Sequence, residues 1–207
     1  MPMTQALADF KSSVAQCNNL IANAHKVDAS GAPIFSTVDR EQITVAAFLN
    51  MFIAWESFLE TSLNHFMIGA PTLSGTVPIK YVAPSNANAA RELVVGVGRY
   101  FDYGNHDHVR KMVKVYFDAG YPYEPHLSAI MSDLNDIKTI RNASAHVTST
   151  TQTSLESLAL RIFGAPRPSI GLYDLLTAVD PRSSTGETVF SDYMNKLIAT
   201  AELISHG

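Results

Sequence analysis

Apolar residues recur along most of this chain at the spacing of a helix. Between Asp39 and about Met67 they fall at 45, 48, 52, 55, 59, 63 and 66. Intervals of three and four lay a single stripe along a helix of 3.6 residues per turn. Phe48, Phe52, Trp55 and Leu59 make that stripe bulky, so 39–67 is expected to be the central helix of a core. Asp39 fits its N-cap, with Gln42 at the reciprocal capping-box position. Residues 3–25 carry a similar period and stop before the Gly-Ala-Pro of 31–33. The Gly- and Pro-rich segment 69–84 is a loop, in which only VPIKYV shows a short strand-like alternation. Ser85 is placed to cap a helix over about 86–99, and FDYGN interrupts the pattern after it. A short amphipathic helix at 107–117 gathers Val109, Met112, Val113 and Tyr116 on one side, capped by Asn105 or Asp107. YPYEP at 121–125 reads as a break. Residues 126–146 then form a second long helix, followed by helices at about 150–163, over GLYDLLTAV, and at 187–205.

These elements predict an all-α fold, a helical bundle built round two long antiparallel helices at 39–67 and 126–146. One domain over 1–207 is expected from the length, with a core of about 40–150 and the helices of 150–207 packing on it. Hydrophobic residues are 46% and charged residues 16%, enough apolar material for a core and little charge to solvate every face. The net charge of −4 argues against a surface coated in cations that grips nucleic acid indiscriminately. Cys17 is the only cysteine, so an internal disulfide and a thiolate metal site are excluded, and a reducing, cytoplasmic setting is expected. The N-terminus MPMTQALADF has no basic region followed by an apolar run. ITVAAFLNMFIAW at 43–55 is too short to span a bilayer, so no membrane association is expected.

The chemistry concentrates in IRNASAH, residues 140–146. The apolar register Leu127, Ile130, Leu134, Ile137 next reaches Arg141, which places a guanidinium where the core stripe points. It then needs an anion or a ring of acceptors. Glu56 and Glu60 on the central helix offer one. Asn142 and His146 are four apart and share a face. Arg141 and His146 are five apart, about 140° around an ideal helix. Three arrangements would reconcile them: the arginine curls round, the helix loosens near Ser144, or two copies of the motif meet across an interface. The trio suits phosphodiester cleavage, with an imidazole that takes a proton from a ribose 2′-hydroxyl. A guanidinium would balance charge on the phosphate. The Arg–His spacing itself carries no weight, because chance supplies about one such pair in a chain of this make-up and Arg99/His106 is a second.

DIKTIRNASAH at 136–146, ending a long helix, together with AWESFLE at 54–60 in the preceding one, resembles the HEPN superfamily, most nearly its RiboL-PSP-HEPN-like branch. The resemblance covers roughly 40–150. It implies an all-α domain, a homodimer whose motif copies line one cleft, and metal-independent endoribonuclease activity with no cofactor. In that reading Arg141, His146 and Asn142 are catalytic and Glu56 supports Arg141. RNA is the substrate, and an antitoxin or nucleotidyltransferase is a possible partner in toxin–antitoxin function, antiphage defence or RNA processing. The same resemblance admits a catalytically silent module that binds RNA, a nucleotide or a partner protein. A plain structural bundle with Arg141 paired to Glu56 is the third reading. Arg110, Lys111 and Lys114 form the one dense basic patch, either a solvated face or an RNA-tracking rim. His106 and His108 beside Asp107 do not converge as metal ligands, and no metal site is expected.

Overall fold

The structure is a computed structural model that describes residues 2–146 and 148–207. It is all-α. The helices are α1 (Met3–Ala24), α2 (Thr37–Met67), α3 (Ala87–Val95), α4 (His106–Tyr116), α5 (Tyr123–Ala129), α6 (Met131–Ala145), α7 (Ser149–Phe163), α8 (Leu172–Thr177) and α9 (Val189–His206). A 3-10 turn covers Asp118–Gly120. The described residues contain no strand, and the VPIKYV segment contributes only an isolated bridge between Lys80 and Phe117.

Element types follow the hydrophobic period, and the differences from expectation lie at the ends. α2 starts earlier than Asp39. Ser36 is the cap: its Oγ accepts from the Asp39 amide at 3.2 Å, and Asp39 Oδ2 accepts from the Ser36 amide at 3.3 Å. That reciprocal pair satisfies two amides that the first turn leaves without partners. α3 is capped by Asn86 rather than Ser85, with Oδ1 accepting from the Ala89 amide at 3.0 Å, and it ends at Gly96, short of 99. Asn105 caps α4. The expected long helix 126–146 is two helices. Ile130 leaves the helical region with φ −114° and ψ 21°, and its carbonyl accepts from Leu134 to open α6. YPYEP begins α5 instead of breaking the chain, because Pro122 sits at the cap and Pro125 in the first turn. No intrahelical amide is needed at either place.

The chain divides into two compact units. The first comprises 2–11, 54–134 and 197–207, the second 12–53 and 135–196. In the first, Phe10 packs on Trp55 and Phe58 with ring centroids 5.8 and 5.5 Å apart. Leu59, Leu63, Phe66, Val113, Phe117 and Leu127 complete that core. The fully buried Tyr123 hydroxyl donates to Ser62 Oγ at 2.9 Å. In the second, Phe48, Met51, Phe52, Ile137, Ile140, Leu158 and Leu175 are buried, and so are some polar side chains. There the buried Asp136 accepts from Tyr193 Oη and from Arg161 Nη1, both at 2.9 Å. α2 is the only helix among the described residues long and apolar enough to cross a membrane, but its Phe48, Met51, Trp55 and Leu59 side chains are buried in protein.

Candidate functional site

α6 carries Arg141 and Asn142 in its last turns, and His146 is the first residue beyond it. The core stripe of α6 runs Leu134, Ile137, Ile140 and Ala143, all buried. The expected step of four from Ile137 to Arg141 is therefore one residue too long, since a step of three puts Ile140 on the stripe. Arg141 lies beside the stripe, half-buried, where its charge keeps some contact with water. Its Nη1 donates to Asn142 Oδ1 at 3.4 Å, and among the described residues of its unit it has no carboxylate partner. The Ser144 hydroxyl donates to the Arg141 carbonyl at 2.7 Å. The His146 amide donates to the Asn142 carbonyl at 3.0 Å, so helical hydrogen bonding continues through Ser144 without loosening.

Arg141 thus curls toward Asn142, the residue whose face His146 shares one turn later. His146 is exposed, and its carbonyl is held by the Thr151 hydroxyl at 2.6 Å. Thr151 belongs to the capping box that Thr148 opens for α7, so the His146 carbonyl is tied to a fixed helix start. Glu56 belongs to the first unit, half-buried on α2.

The basic helix α4 differs from its sequence picture. Glu124 of α5 takes Arg110 in a two-pronged pair, with Nε to Oε2 at 3.0 Å and Nη2 to Oε1 at 2.6 Å, and also takes Lys114 at 2.8 Å. The Arg110 guanidinium foremost, aided by Lys114 and Ser128 against the effect of burial, holds the Glu124 carboxyl down to about 2. Of the three basic residues only Lys111 keeps an uncommitted charge among the described residues. His106 is buried, and its Nε2 accepts from the Trp55 indole N–H at 3.0 Å. That is a core role, and His108, exposed two residues further along α4, does not share it. No cluster of three His, Cys, Asp or Glu with metal-binding geometry occurs among the described residues.

Two features have no local signal in the sequence. In the second unit His25 Nδ1 bonds the Ile21 carbonyl at 2.8 Å and Nε2 bonds Tyr173 Oη at 2.9 Å. A carbonyl only accepts, so Nδ1 carries the proton and Tyr173 donates to Nε2. The two residues lie 148 positions apart. Tyr173 borders an apolar groove of about 470 Å³ with Val45, Leu49 and Leu172. In the first unit a groove of similar volume is lined by Glu60, Arg91, Glu92, Arg99, Phe101 and Tyr103. Comparison with protein-family models, characterised proteins and solved structures finds no match, so the geometry of the chain's own residues is what the functional reading rests on.

Proposed function

We propose that this protein is a HEPN-type, metal-independent endoribonuclease working as a cytoplasmic homodimer. Arg141 binds the scissile phosphate, Asn142 orients the guanidinium, and His146 moves the proton. The imidazole takes the proton of a ribose 2′-hydroxyl, whose oxygen attacks phosphorus. The bond to the 5′-oxygen breaks, and that oxygen takes a proton from the imidazolium or from water and leaves as a 5′-hydroxyl, giving a 2′,3′-cyclic phosphate. The observation that carries this reading is the Arg141–Asn142 contact, because it turns the guanidinium toward the helix face on which His146 follows. A second copy of the motif would supply the other wall of the cleft. An antitoxin or nucleotidyltransferase is the partner class this reading expects.

A silent RNA- or protein-binding module is the second reading. It is favoured by the capture of Arg110 and Lys114 by Glu124, which leaves little free cationic surface on α4. A labelled RNA incubated with the full chain in EDTA separates the two. Cyclic-phosphate ends, reduced about 10²-fold or more by both Arg141→Ala and His146→Ala in folded protein, support the nuclease. Cleavage that survives both variants refutes it. Retained RNA binding with no cleavage by the unsubstituted chain selects the second reading.

A further inference from the structure

The groove of the first unit has the make-up of a small-molecule site. Its volume of about 470 Å³ leaves room for a small molecule the size of an amino acid with a large side chain. Tyr103 is 8% exposed and lines this groove, and its hydroxyl has no hydrogen-bond partner among the described residues. That hydroxyl is not sealed away from the groove, so it can donate to whatever enters. Burial foremost, and then the Glu60 carboxylate, push its pKa well up, so it stays a donor. Phe101 meets Tyr103 edge-on with centroids 4.9 Å apart, and with Val95 it gives the groove an apolar wall.

The charges around this floor come in both signs. Arg91 and Glu60 form an ion pair, with Nε 3.2 Å from Oε1. Arg99 and Glu92 line the same groove without pairing to each other or to another charged residue among the described ones. A phosphate dianion would meet two carboxylates here, and a plain cation two guanidiniums. A zwitterion satisfies both.

The geometry points to a binding site for a free α-amino acid with a bulky apolar side chain. Its carboxylate would lie on Arg99 and Arg91, its ammonium group on Glu92 and Glu60, and its side chain against Val95 and Phe101, with the Tyr103 hydroxyl donating to the carboxylate. This site is independent of the nuclease reading and lies on other residues.

Titration calorimetry on the full-length chain tests it with L-phenylalanine, L-leucine, 3-phenylpropionate, L-phenylalaninamide and a nucleoside monophosphate as probes. The expected result is millimolar or tighter binding of an L-amino acid, weakened about tenfold by loss of either its amino or its carboxylate charge. Arg99→Ala and Glu92→Gln, both at exposed positions, should each weaken binding about fivefold or more, and Tyr103→Phe about threefold. Absence of amino-acid binding at about 10 mM overturns the proposal. So does equal affinity for 3-phenylpropionate, tighter binding of the nucleotide, or indifference to Arg99→Ala and Glu92→Gln. RNA cleavage should be unchanged in both variants, which keeps failure here distinct from failure of the nuclease reading.

Discussion

At the scale of single residues the structure turns on buried polar groups that have been given partners. The Trp55 indole N–H can only donate, so His106 Nε2 must accept, and the neutral ring keeps its proton on Nδ1. His106→Ala removes that acceptor and opens a cavity in a closed core. It should cost about 3 kcal/mol in urea denaturation, and His106→Gln, which restores an acceptor, clearly less. Asp136 is the counterpart in the second unit, receiving Tyr193 and Arg161. Asp136→Ala strands a buried phenol that burial foremost keeps protonated, and should cost about 3 kcal/mol or more in the same assay. Trp55 could be assigned to the core from spacing alone, because periodicity reports burial. His106 could not: its partner lies 51 positions away, while its neighbours Asp107 and His108 resemble a ligand cluster. Arg141 shows the limit of a register argument. Spacings of three and four both keep to a helix face, and only packing decides that Ile140 is inside and Arg141 beside it.

At the scale of elements, α4 and α5 are held by one carboxylate. Glu124 titrates at about 2, against an ordinary 4.5, so the folded chain binds its proton less readily than the unfolded chain. Its contribution is therefore complete above about pH 4.5 and is lost as pH falls from there toward 2. The expected size is about 2 kcal/mol, since Glu124 keeps only 16% of its side-chain surface exposed. Urea midpoints of the wild type and Glu124→Gln should differ at neutral pH and converge in acid. A gap that stays constant with pH would show that the pair contributes nothing. Helix ends behave similarly on a smaller scale: Thr148→Ala removes the capping box of α7 and should cost about 1 kcal/mol. The ends are also where sequence reading is weakest. Ser36 and Asp39 both look like caps, as do Ser85 and Asn86, and the choice depends on which side chain reaches an amide. The bodies of the helices are legible because many apolar positions agree on one period, as at 45, 48, 52, 55, 59, 63 and 66 in α2. A break such as that at Ile130 was not, because the apolar spacing passes through it unchanged.

At the scale of the whole molecule the question is how an acidic chain with 16% charged residues would hold a polyanion. The dense basic run on α4 looks like a phosphate-tracking rim in sequence, yet two of its three cations are committed to Glu124. A committed cation releases fewer counterions on binding, because its charge is already matched. The proposed RNA interaction should therefore draw on single cations, not a stripe. Single-stranded RNA loses affinity with salt at about 0.7 per phosphate neutralised on a log–log plot. On α4 only Lys111 should contribute, so Lys111→Ala should reduce the magnitude of that slope by about 0.7. Lys114→Ala should leave the slope nearly unchanged, and Arg110→Ala should lower stability more than it alters salt dependence. Fluorescence anisotropy of a labelled oligoribonucleotide bound to His146→Ala, which keeps the strand intact under the nuclease reading, measures all three. Equal slope losses from Lys111, Arg110 and Lys114 would mean that Glu124 releases its partners when RNA arrives and that the whole helix is the rim. A slope indifferent to Lys111 would remove α4 from the RNA path and leave the end of α6 to carry the contact alone.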